Sequence, residues 1–264
     1  MIVRPLLFLL FLAGSVASMS ASVPLQDGEQ LKYRVSWAIV PGAGEINIAG
    51  KEDRSGPVPT MVVTSTTATR RLARMLLPFD AEARSVFDLR TGKLLSLHET
   101  SNQKGKRSEH RVTFNYETRK ADYTHLTKPE ESRALDIPQG DPTDLMMGLL
   151  QTRTWDLKPG EKRDALVLFD DDFYELTIHM ARYEDISTPL GRFRTVVLEP
   201  RMDKTPPKGM FRRGSSVRIW IAQDSHRLPV KFEVEFKIGT GTATLEAYVP
   251  PSKAAASHGT NPRS

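Results

Sequence analysis

Two segments of the chain alternate apolar and polar residues with a period of two. In LKYRVSWAI, Leu31, Tyr33, Val35, Trp37 and Ile39 share one parity, and Lys32, Arg34 and Ser36 share the other. In VKFEVEFKI, Val230, Phe232, Val234, Phe236 and Ile238 oppose Lys231, Glu233, Glu235 and Lys237. Side chains leave a strand on alternate faces, so each segment predicts a strand with one dry and one wet face. A wet face points to an antiparallel sheet, because parallel sheets are covered on both sides.

Weaker copies of the pattern predict further strands at Glu45–Ala49, Met61–Ser65, Ala81–Leu89, Arg111–Glu117, Leu166–Phe169, Tyr174–Ala181, Thr195–Glu199, Val217–Ala222 and Thr242–Val249. Turn chemistry separates them, as at Pro41-Gly42, Ser55-Gly56-Pro57, Thr91-Gly92, Lys158-Pro159-Gly160, Pro189-Leu190-Gly191 and Gly239-Thr240-Gly241. The expectation is an all-β chain with one or two short helices. Its sheet is large, curved and antiparallel, an open or half barrel, since so many strands must curl to protect their edges.

Two segments break the period. Thr69–Leu77 sets Leu72, Met75 and Leu76 at helical spacing among Arg70, Arg71 and Arg74, and Pro78 stops it. Asp141–Thr152 predicts a central helix that plugs or lids the sheet. Asp141 is its expected cap, Pro142 suits its first turn, and Leu145, Leu149, Met146 and Leu150 form its apolar face. Gly148 weakens that helix by about 1 kcal/mol relative to Ala. The Lys128–Pro142 stretch is a candidate connection between two lobes.

The ends read differently. Residues 1–22 form an expected secretory signal peptide: Arg4, the apolar run Leu6–Val16, then small residues. Cleavage fits after Ala17, Ser18 or Ala21. The run is shorter than the ~20 residues that span a bilayer, and no later segment is long and apolar enough, so a soluble exported product is expected. Residues 250–264 (PPSKAAASHGTNPRS) read as a disordered tail. Between them, 23–249 reads as a single domain.

Composition narrows the chemistry. The 264 residues include no cysteine, which excludes disulfides, thiolate metal sites, a cysteine nucleophile and a lipid-anchored lipoprotein N-terminus. None of His98, His110, His125, His179, His226 and His258 lies at ligand spacing from another, so no metal site is expected. Asp170-Asp171-Asp172 lacks the alternation and glycine of a calcium loop and reads as a hairpin tip. No nucleophile elbow or dinucleotide loop is present, and no cofactor is implied. Asp80, Glu82, Glu99 and Glu109 offer carboxylates for glycoside chemistry, as any β protein does. The net charge of +5 is spread out, with basic clusters at Arg70/Arg71/Arg74, Lys104/Lys106/Arg107 and Lys204/Lys208/Arg212/Arg213. These suit solubility or docking on an anionic envelope surface such as phospholipid or lipopolysaccharide head groups. Nucleic acid is not an expected partner, because the basic loops lack stacking aromatics.

Four stretches carry a family resemblance. GEQLKYRVSWAIVPGAGEINI (Gly28–Ile48) resembles the opening of the bacterial exported family DUF3108. DPTDLMMGLL matches its central Asp-Pro helix, and EDISTPLGRFRTVVLEP (Glu184–Pro200) its Pro-x-Gly-x-Phe turn. RIWIAQDSHRLPVKFEVEFKIGTGTATLEAY (Arg218–Tyr248) matches its closing strands. The Arg-rich Thr69–Leu77 stretch departs from the pattern. The resemblance implies no established activity. Trp220, Asp224, Leu228 and Pro229 also resemble a hairpin of Lol-type periplasmic lipoprotein carriers, which implies a curved open sheet with helices at its mouth that carries acyl chains.

The reading is of a non-enzymatic exported envelope protein that holds a lipid-like or amphiphilic ligand in a β-sheet cavity. Trp37, Met146, Met147, Leu150, Phe232 and Phe236 are its candidate lining residues; the alternative at each is ordinary core. The rival classes are an assembly factor binding another envelope protein, and an enzyme acting on envelope glycan or lipid. Converging polar groups in a cavity would mark the enzyme, and an exposed apolar patch the partner-binding protein.

Overall fold

The computed structural model describes residues 23–211, 215–237 and 239–252. The expected leader, most of the expected tail, Arg212, Arg213 and Ile238 lie outside the described residues.

Among the described residues, fifteen strands form one sheet. β1 (Gln30–Trp37), β2 (Val40–Asp53), β3 (Thr60–Thr69), β4 (Phe79–Asp88), β5 (Leu94–Gln103), β6 (Lys106–Asn115), β7 (Lys120–His125) and β8 (Arg133–Asp136) step outward as an antiparallel meander. The chain then crosses to the opposite edge. There β9 (Thr143–Asp144) pairs in parallel with β10 (Lys162–Phe169). β11 (Asp172–Thr188), β12 (Gly191–Arg201), β13 (Ser216–Ala222), β14 (Pro229–Phe236) and β15 (Gly239–Val249) step back inward, and β15 pairs with β1. Helix α1 (Arg71–Leu76) joins β3 to β4, and α2 (Leu145–Gln151) follows β9 directly.

Every strand expected from alternation is present. β5, β7, β8 and β9 are additional: β5 sets Leu94 beside Leu95, and β7, β8 and β9 span only six, four and two residues. The candidate connection at Lys128–Pro142 holds β8 and then makes the crossing. One residue corrects the pattern. β1 ends at Trp37, so Ile39 stands in the β1–β2 turn, 95% exposed.

Register stacks the dry parity into one core. Leu31 faces Ile48, Met61 faces Phe87, Leu97 faces Val112, and Val112 faces Tyr123. The sheet curls until its two halves meet through side chains. Arg133 on β8 reaches the carboxylate of Asp171 in the β10–β11 turn, and Ser85 on β4 donates to Asp144 on β9 over 2.7 Å. β8 and β9 are not neighbours in the ladder, so the sheet is not closed into a barrel.

α2 lies inside the curl. Its cap is Asp144, whose Oδ1 accepts from Met147 N over 2.9 Å; the expected cap, Asp141, lies three residues too early. Pairing of Thr143 and Asp144 with β10 keeps them extended, and that delays the helix start. Gly148 is needed for contact rather than for mobility: a Cβ there would stand 2.6 Å from Val167 Cγ1. After α2 the chain plugs the end of the curl where both described termini lie. There Arg153 bonds Glu29 over 2.7 Å and the His226 carbonyl over 2.9 Å.

Candidate functional site

The inward face of the sheet changes character along the strands. Toward the plugged end it carries Leu31, Ile48, Val63, Phe87 and Leu97, all buried. Toward the far end the same parity carries Val35, Ile46, Ser65, Thr67, Ala81 and Ala83, all half-buried. Register makes these one surface: Ile46 faces Thr67, Thr67 faces Ala81, and Ser65 faces Ala83. The six are only partly covered, and Ser65, Ala81 and Ala83 are small, so solvent reaches this half of the inward face, and the concave inner side of the curl here is the candidate recess.

A line of titratable groups climbs the wall beside this recess. Buried Asp144 starts it. Burial pushes its carboxyl up to about 6, against the hydrogen bonds from Met147 N and the Ser85 hydroxyl, which favour the anion. Glu99 follows, one row on from Ser85 along the inward face. Buried His110 on β6 sets Nε2 2.8 Å from Glu99 Oε2, off the axis of a good ring N–H bond. The His110 ring lies 5.1 Å from Tyr123 and 6.3 Å from His125. His125 Nδ1 accepts from Lys128 N over 3.2 Å, which assigns the neutral ring's proton to Nε2. Asp170, at the β10–β11 tip with φ +59°, closes the line. Burial, and then its neighbour Asp171, raise its carboxyl. Burial likewise raises the Tyr123 phenol to about 12, and Arg133 sits over its ring at 5.6 Å.

This arrangement can hold protons or a polar head group. Among the described residues, no group of three His, Asp or Glu side chains converges on a metal position. In the sequence only His110 carries a signal, on the parity of Val112 and Phe114; Glu99 and His125 lie on β5 and β7, which alternation does not predict.

The candidate lining residues fall in three places. Trp37 and Phe236 meet at the far end, ring centroids 5.9 Å apart, with Gly241 beneath the indole. Phe232 packs on Tyr33 at 5.3 Å. Met147 and Leu150 are buried in the core on α2, and Met146 is half-buried beside them. Two open concavities lie elsewhere. One of about 480 Å³ lies over Thr66, Ala68, Glu82 and Thr100 on the outward rows of β3–β5. Another of about 410 Å³ lies between Gln151, Trp155 and the β10–β11 pair.

A single strongly curled antiparallel sheet with an internal helix defines the class: a large β-barrel-like protein whose barrel is left open. It shares that fold with the β-barrel-like protein of the domain of unknown function DUF1849 from Brucella abortus, at a TM-score of 0.54 and 10% identity over 88% of this chain and 100% of that one. A protein classed as exported, with a YmcC-like fold, from Bacteroides fragilis aligns at a TM-score of 0.35 and 13% identity over 86% and 98% of the two chains. The model of the family of proteins of unknown function DUF3108 matches residues 32–246, and the chain belongs to that family. A search of curated proteins returned no match. Among the described residues no helix is long and apolar enough to cross a membrane.

Proposed function

We propose that this is an exported envelope protein that binds an amphiphilic ligand in the recess of its curled sheet, without catalysing a reaction. The observation that carries the reading is the change along the inward face, from fully buried side chains at the plugged end to half-buried ones, among them Ser65, Ala81 and Ala83, at the far end. An acyl or similar apolar tail fits against Val35, Ile46, Ala81 and Ala83. Trp37 and Phe236 stand at the rim, where amphipathic rings suit a boundary between apolar and wet surroundings. The Glu99–His110 wall offers polar contacts for a head group. The leader-like residues 1–22 support export.

A fluorescent fatty-acid probe tests the reading. The protein should enhance its fluorescence saturably at micromolar concentrations. Ala83→Trp, which fills the recess, should weaken uptake about tenfold or more while unfolding free energy holds within about 1 kcal/mol. Absence of uptake by the unaltered protein would replace this reading with partner binding. Export is tested by fractionation: the product should be periplasmic and shortened by roughly two dozen residues or slightly fewer.

A further inference from the structure

The far end of the curl carries an apolar surface that no part of the described chain covers. Helix α1 buries none of its residues. Leu72 is 66% exposed, Met75 80% and Leu76 79%, with Leu77 exposed beside them. Ile39 and Trp37, in the adjoining β1–β2 turn and at its base, extend the surface. The pieces are contiguous. Arg70 N donates to Ala43 O over 2.8 Å, the Arg71 guanidinium lies 3.7 Å from the Cβ position of Gly42, and Ala38 N donates to Thr240 O. On the other side Lys104 N donates to Pro78 O, which brings the β5–β6 tip against the end of α1.

Cations predominate around this surface. Arg70 is committed to Glu45 at 2.7 Å and Arg74 to Asp80 at 2.8 Å. Arg71, Lys104, Lys106 and Lys237 have no carboxylate within ion-pair distance among the described residues. Exposed Leu and Met ringed by uncommitted cations match the chemistry of an anionic lipid interface: apolar groups enter the acyl boundary while cations meet the head groups. A second copy fits poorly, because a two-fold contact would set Arg71 and its neighbouring lysines against the same cations. The chain's own C-terminal segment, KAAASHGTNPRS, offers no large apolar side chain to cover the patch.

We infer that α1 and the β1–β2 turn form a docking surface for an anionic phospholipid membrane. The surface lies at the end where the recess opens, so docking would set the recess mouth against the lipid from which an amphiphile is drawn. The inference deepens the proposed function, but its experiment stands apart from the uptake assay.

The test is flotation of the protein, as recovered from an exporting host, with vesicles of phosphatidylcholine alone or with phosphatidylglycerol. The protein should float with phosphatidylglycerol vesicles at low salt, and less at high salt as screening weakens the cationic part. The triple variant Leu72→Ser, Met75→Ser, Leu76→Ser should lose binding about tenfold or more. Arg71→Glu should lose it several-fold on anionic vesicles and leave thermal unfolding unchanged. Both variants should keep probe uptake in solution. No flotation with anionic vesicles, or variants that float like the parent, would overturn the inference. So would a dimer that the triple variant dissociates when vesicles bind neither form, which would assign the patch to a second copy. Loss of probe uptake with flotation intact would instead remove the amphiphile reading and leave the docking surface standing.

Discussion

Asp144 is at once a helix cap and a buried acid, and its two roles respond differently to substitution. Its carboxyl is raised from 3.8 to about 6 by burial, so the folded state holds the proton more tightly than the unfolded chain. The stability this group contributes is therefore complete below about pH 4 and is lost as pH rises through about 6. The loss amounts to as much as about 3 kcal/mol. Asp144→Asn keeps an oxygen for Met147 N and cannot ionise. It should be more stable than the parent at pH 8, by up to that amount, with the difference shrinking toward pH 4. Asp144→Ala removes the cap and strands the Ser85 hydroxyl, and should cost about 1–2 kcal/mol at pH 4. Urea denaturation at pH 4 and pH 8 measures both; an Asn variant less stable than the parent at pH 8 would show that the carboxylate is held as an anion. The sequence shows a helix here but misplaces its cap. Asp-Pro is a strong local start signal, whereas the true start depends on a parallel pairing with β10 that is remote in sequence.

The β13–β14 pair shows what alternation reports and what it hides. Phe232 is buried against Tyr33, as its parity implies, and Phe232→Ala should cost about 3–5 kcal/mol. Parity also places Lys231 in water, where truncation would cost less than about 0.5 kcal/mol. Instead its ammonium lies 4.1 Å from the ring centroid of Trp220, itself buried on the outward row, and 2.8 Å from Glu233. Lys231→Ala should therefore cost about 1 kcal/mol, since a cation over a desolvated ring adds to the packing of its stem. Chemical denaturation of the two variants separates the cases, and a cost at Lys231 within error of zero would mean the ring is indifferent to its cation. The polar line beside the recess was hidden for a related reason. Glu99, His110 and His125 are unremarkable singly, and become neighbours through the β5–β6 and β6–β7 registers, which no local pattern specifies.

At the scale of the whole molecule, the chain leaves the centre of the sheet at β1, reaches one edge at β8, crosses to the other at β9 and returns at β15. Its two described ends and its midpoint consequently meet at one place, and Arg153 fastens them. Its guanidinium bonds Glu29 Oε1 at 2.7 Å, the Pro24 carbonyl at 3.3 Å and the His226 carbonyl at 2.9 Å. Glu29, fully buried, also accepts from Gln26 N at 3.0 Å and from the Tyr248 hydroxyl at 3.2 Å. From the other side, Arg227 donates to the carbonyls of Arg153 and Trp155. A buried ion pair adds little over a well-packed apolar pair, but removal of one partner leaves an uncompensated charge. Arg153→Met should thus destabilise the fold by about 3–5 kcal/mol, far more than loss of an exposed pair such as Arg182–Glu184. Glu29→Gln added to Arg153→Met should recover part of that loss, because the stranded carboxylate is gone. A double-mutant cycle in urea reads the coupling directly. If the double variant is no more stable than Arg153→Met, the loss comes from the carbonyl contacts that hold the plug, and the ion pair is incidental to closing that end.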